Sequence, residues 1–202
     1  GVVVAFIVNA LIVPPVLSGP ARSDVGLLGT ELAASMERLA ASLPETRSSA
    51  QLYELLLKAR LLRPMHTAAE ESVTAAEASL TLNPRRAPRR EVAELRALLQ
   101  KLSPVVTQVI GMSRAYFDQY EDTLPDQRAV HAIAEQLRRA AHDVRLAVQT
   151  AEATPEPAAQ TSVIPALTAP LHVATPTAHW VLIGSLLEDL RRIRNNLVED
   201  ES

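Results

Sequence analysis

Apolar residues recur at intervals of three and four along most of this chain, and the intervals group into five stripes. From Asp24 to Leu43 the stripe is Val25, Leu28, Leu32, Met36, Leu39 and Leu43, with Glu31, Glu37 and Arg38 largely off it. A second stripe starts after Gln51 and runs through Leu52, Leu55, Ala59, Leu62, His66, Ala69, Val73, Ala76 and Leu80, ending at Asn83-Pro84. The third comprises Val92, Leu95, Leu99, Leu102, Val106, Val109, Ser113, Tyr116 and Tyr120. The fourth is Val130, Ile133, Leu137, Ala140, Val144, Ala147 and Ala151, after an N-cap candidate at Asp126. The last is Ile183, Leu186, Leu190, Ile193 and Leu197, with Trp180 at its start. This period is that of amphipathic helices. Five such faces need one another for burial, so the expected fold is all-α, an antiparallel bundle of about five helices.

Two segments break the periodicity. The first thirteen residues are apolar except for Asn9 and stop at Pro14-Pro15. A membrane-spanning helix needs about 20 apolar residues, so residues 1–13 read as the end of a transmembrane helix that starts upstream. A core helix of a soluble bundle fits the same length, while the absence of Lys or Arg before Arg22 argues against a signal peptide. The second segment carries Pro155, Pro157, Pro165, Pro170 and Pro176 among Thr, Ala and Ser, which makes residues 154–177 a linker. The expected organisation is residues 1–13 as the membrane segment, 14–153 as a cytoplasmic bundle, 154–177 as the linker and 178–202 as a docking C-terminal helix.

Prolines also fall within stripes. Pro64 lies twelve residues after Leu52 and Pro104 twelve after Val92, at the same phase. An interior proline deletes a backbone hydrogen bond and kinks a helix, or it ends a shorter one, because the preceding residue disfavours α geometry. Both readings stand: a hairpin bent at one height, or separate helices.

Composition narrows the chemistry. Aromatic residues make up 3% of the 202 residues and hydrophobic ones 48%. Much of the latter is Ala and Leu, which favour helix. A net charge of -3 gives no overall attraction to nucleic acid. The lack of cysteine removes disulfides and thiolate metal sites. Arginine outnumbers lysine 18 to 2, which together with the alanine content points to a GC-rich bacterial source.

Charge concentrates in one place, Arg85, Arg86, Arg89 and Arg90 within NPRRAPRR. A helix over residues 21–43 leads away from a membrane, and one over residues 52–82 returns about 45 Å at 1.5 Å per residue. The four arginines then face lipid headgroups, where basic clusters attract anionic lipid; a solvated turn is the bland alternative. With no stacking aromatic beside them, nucleic-acid binding is not expected.

Catalytic patterns are missing. His131, Glu135 and His142 sit at helical offsets without a fourth ligand or an HExxH pattern. His66 falls on an apolar stripe. Glu70-Glu71 and Glu199-Asp200-Glu201 lack a matching acid or base, and no phosphate loop or serine elbow is present. No enzymatic activity, cofactor or metal is expected. Tyr116, Phe117 and Tyr120 read as core at helical spacing, with an aromatic-ligand pocket as the competing reading.

The runs NALIVPP (9–15), ASLTLNPRR (78–86) and WVLIGSLLEDLRR (180–192) resemble bacterial members of the aromatic acid exporter family, also called fusaric-acid-resistance-like proteins. The resemblance implies an inner-membrane efflux protein for aromatic acids or related toxic compounds. This chain would be its cytoplasmic helical region, serving assembly or gating. Implied partners are the lipid membrane, upstream transmembrane helices and further copies of the chain. A membrane-tethered structural or sensory bundle without transport would show the same stripes.

Overall fold

The computed structural model describes residues 18–81, 86–152 and 179–198. The expected membrane segment (1–13), the linker (154–177), Arg85 and Glu199-Asp200-Glu201 lie outside the described residues.

The stripes become helices, and no strand occurs among the described residues. The first is α1 (Ser18–Ser42), which Pro44 prevents from continuing. The second stripe is divided into α2 (Ser49–Arg60) and α3 (Leu62–Leu80). The third, α4, runs from Arg86 to Asp118, about 50 Å at 1.5 Å per residue. A 3₁₀ turn at Leu124–Asp126 precedes α5 (Arg128–Glu152), and α6 (Trp180–Val198) closes the described chain. Asp126 therefore belongs to the turn and does not cap α5. Gln127, extended at φ -78° and ψ 122°, lies between them, and its carbonyl accepts the Val130 N–H at 3.0 Å.

The division of the second stripe has a local cause. Pro64 cannot donate a hydrogen bond to the carbonyl of residue 60, and its ring crowds that carbonyl. The helix accordingly pauses at Leu61 between α2 and α3, with Pro64 in the first turn of α3. Pro104 has the same chemistry but lies inside α4, which continues past it. Upstream, Ser48 and Gln51 form a capping box, the Ser48 N–H donating to Gln51 Oε1 at 2.9 Å.

Nearly every stripe residue is buried in one continuous core, from Val25 and Leu28 on α1 to Ile183 and Ile193 on α6. Helix direction follows from the pairs that join them. Glu37 meets Arg145 and Ala40 meets Arg138, so α1 and α5 run in opposite senses. Glu77 pairs with Arg96, and His66 with Ser103, so α3 opposes α4. Arg22 meets Glu91 and Ser42 meets Tyr116, so α1 and α4 run in the same sense. The last helix, α6, packs on α4 and α5, burying Leu182, Ile183, Leu186, Leu190 and Ile193.

Helix α1 is buried more widely than one stripe requires. Ala21, Gly26, Gly29, Ala33, Ser35 and Ala40 are buried along with Leu28, Leu32 and Leu39, because α3, α4 and α5 all pack on it. These small residues let neighbouring backbones come close.

Candidate functional site

The bundle has two chemically different ends. The first gathers the starts of α1 and α4. Arg22 Nη2 lies 2.6 Å from Glu91 Oε1, and this pair fixes the beginning of the described chain beside the first turns of α4. Arg89 and Arg90 lie there in exposed positions. Arg90 is engaged with Glu94 at 2.8 Å. Arg86 is the first residue of α4.

Three arginine–glutamate clamps hold the helices whose order places this end. Besides Arg22–Glu91, Arg96 grips Glu77 through two bonds of 2.8 and 2.6 Å, and Arg145 grips Glu37 through two, one of 2.7 Å. Two-pronged pairs of this kind fix orientation as well as contribute energy. The hydrogen bond from Arg145 pulls the Glu37 carboxyl below its usual range, and that from Arg96 does the same for Glu77. Their partial exposure keeps each clamp at about 0–1 kcal/mol.

The opposite end is aromatic and acidic. Tyr116 is fully buried, and its hydroxyl donates to the Ser42 carbonyl at 2.9 Å. Burial pushes its pKa up. The Tyr120 ring stands edge-on to Tyr116 at 5.6 Å, and its hydroxyl accepts the Arg47 N–H at 2.8 Å. Phe117 packs against Tyr53, with ring centres 6.1 Å apart. Tyr116 and Phe117 thus pack within the helix layers, while Tyr120 also borders an open cleft of about 560 Å³. The cleft lies between the loop after α4 and the first turn of α6, with Asp118, Glu121, Thr123, His179 and Trp180 in its lining.

The remaining candidates do not converge. His131 Nε2 donates to the Pro125 carbonyl at 2.8 Å, Glu135 is bound by Arg138 and Arg139, and His142 points to solvent. No cluster of three potential metal ligands occurs among the described residues. His66 Nε2 lies 2.5 Å from Ser103 Oγ, which in turn donates to the Leu99 carbonyl at 2.8 Å. The serine proton is thus committed to the backbone and His66 acts as the donor, a tie between α3 and α4 without the proton geometry of a nucleophile and its base. Glu70 approaches the same nitrogen at 3.8 Å, so it does not orient the ring from the far side. This tie also brings Pro64 and Pro104, each within two residues of it, to a similar height in the bundle.

Sequence periodicity missed His179 because no stripe contains it. It is the one non-glycine residue with positive φ (56°) among the described residues, and it sits at the start of α6 with its carbonyl accepting the Ile183 N–H at 2.9 Å. Comparison with protein-family models, curated proteins and solved structures finds no match for this chain. No described helix is long and apolar enough to cross a membrane.

Proposed function

We propose that this chain is the cytoplasmic helical domain of a bacterial inner-membrane exporter of aromatic acids or related toxic compounds, acting in assembly or gating. The Arg22–Glu91 pair carries the reading, because it sets the start of α1, which follows the apolar residues 1–13 in sequence, beside the start of α4, where Arg86, Arg89 and Arg90 lie. One membrane plane would then meet both, and Arg85, Arg86, Arg89 and Arg90 would contact anionic headgroups. The rest of the bundle projects away from that plane along α4.

An assembly role draws support from a ridge along the outer face of α2 and the Leu61 pause that follows it. Tyr53, Leu57 and Leu61, spaced four residues apart, are all exposed. Apolar residues aligned on one surface mark interaction sites more often than isolated ones do, and a further copy of the chain is the partner this reading implies.

Two measurements test the proposal. Replacing all four arginines with Gln is expected to reduce sedimentation with phosphatidylglycerol vesicles, and unchanged sedimentation removes the membrane-facing end. Deleting the gene from its host is expected to raise cellular accumulation of a radiolabelled aromatic acid. Unaltered accumulation, with membrane attachment intact, would favour a tethered structural bundle without transport.

A further inference from the structure

The cleft at the aromatic end combines an exposed indole with two carboxylates. Its walls come from rigid parts of the fold. On one side Tyr120 is fixed by the T-shaped contact with Tyr116 and by the Arg47 N–H. On the other, Trp180 opens α6 and remains 67% exposed, with Val181 beside it 53% exposed. An indole left in water next to a second apolar side chain, at the mouth of a cleft, is surface available to a ligand.

The floor is held by His179. Its side chain is only 7% exposed, with Nε2 2.9 Å from Thr123 Oγ1 and Nδ1 3.8 Å from Glu121 Oε2. A backbone at φ 56° costs energy for a residue with a side chain. That conformation turns the chain directly into α6, whose first residue, Trp180, lines the cleft.

The charge of the lining selects the ligand. Asp118 and Glu121 both line the cleft, and no Lys or Arg does among the described residues. Arg114 approaches Asp118 at 3.4 Å from an exposed position, leaving most of the carboxylate's hydrogen-bonding capacity free. Glu121 stays largely exposed, with no ion pair among the described residues other than the His179 approach. An indole face with carboxylates around it attracts a cation by cation–π and ion-pair forces together. The same carboxylates repel an aromatic acid, so this cleft differs in chemistry from the substrate class proposed above.

We propose that the cleft binds a small organic cation, an ammonium group carried on an aromatic ring or short alkyl stem, which stacks on Trp180 with its charge toward Asp118 and Glu121. The proposal does not depend on a transport role. Trp180 is the only tryptophan in the chain, so its fluorescence reports occupancy without interference.

Benzylammonium titrated into the full chain is expected to change Trp180 emission saturably, with half-saturation at about 0.1–10 mM for so open a site. Benzyl alcohol is expected to bind more weakly, and benzoate to give no saturable change. An Asp118→Asn, Glu121→Gln double variant is expected to weaken benzylammonium binding roughly tenfold. Its helical circular dichroism should stay unchanged, since both carboxylates are exposed. Calorimetric titration of Trp180→Phe should show the heat of binding reduced. Benzoate binding as tightly as benzylammonium, absence of saturation by benzylammonium, or undiminished affinity in the double variant would each overturn the proposal.

Discussion

Gly29 on α1 lies against Val148 on α5 so closely that a Cβ at position 29 would fall well inside van der Waals contact with Val148 Cγ2. The two residues meet in the same interface as the Glu37–Arg145 clamp. Val148 is β-branched and stiff at χ1, so a new methyl group could enter only by moving a helix. Gly29→Ala is therefore expected to destabilise the chain by about 1–2 kcal/mol, the overpacking cost exceeding the gain in helix propensity. Urea denaturation measures this. In a Gly29→Ala, Val148→Ala double variant the loss should be smaller than the sum of the single losses by about 0.5 kcal/mol or more.

Tyr116 tests the far end of the same helix. Its hydroxyl serves the Ser42 carbonyl at the end of α1. Tyr116→Phe leaves that carbonyl with only the longer bond from the Glu45 N–H at 3.3 Å, at a cost of about 0.5–1.5 kcal/mol. Spectrophotometric titration of the native chain should show one phenol ionising above the usual tyrosine range, because burial raises its pKa, and this component should be missing from the variant.

Acid should weaken the fold through its exposed ion pairs. Glu188 is drawn down to about 2 by hydrogen bonds from Arg191 and Arg192, and Glu37 and Glu77 are lowered by Arg145 and Arg96. A carboxylate lowered in the folded state contributes stability above its ordinary value and loses it as pH falls through the folded value. The thermal midpoint is therefore expected to decline from about pH 4.5 down to about 2, less steeply at high salt. Asp189 works the other way. Burial raises its pKa, so its charge opposes folding at neutral pH and the penalty disappears on protonation. Asp189→Asn should raise the midpoint at pH 7 by about 1–2 °C and leave it unchanged near pH 2.

Docking of α6 can be uncoupled from the remaining helices. Leu186 is fully buried in the face that α6 presents to α4 and α5. Leu186→Asp would bury a charge with no partner designed for it, which folds avoid by releasing the segment. Hydrogen exchange is expected to show residues 180–198 losing protection while α1 and α5 largely keep theirs. Equal loss throughout would mean that the helices unfold as one unit.

Much of this architecture was legible in spacing. All six residues of the α1 stripe and five consecutive members of the α5 stripe, Val130 to Val144, are buried. The division at Leu61 was less legible, because Pro64 and Pro104 carry the same local signal and only the three-dimensional setting separates a pause from a continuous helix. The wide burial of α1 escaped for a related reason. Gly29 and Ala33 are small, and nothing in a one-dimensional pattern says that another helix packs on that side. The cleft was least legible: it joins residues near 120 to residues near 180, and its strained member, His179, belongs to no periodic run.

Pairing of the first described helix with the fifth also sets the timing of folding during synthesis. Glu37 waits 108 residues for Arg145, which at about 5–20 residues per second on the ribosome is roughly 5–20 s. Until α5 has emerged, the side of α1 that meets Val148 and Arg145 has no cover. A nascent chain stalled before Arg128 would therefore present that side to chaperones and proteases, and its lifetime in the cell would depend on how fast translation resumes.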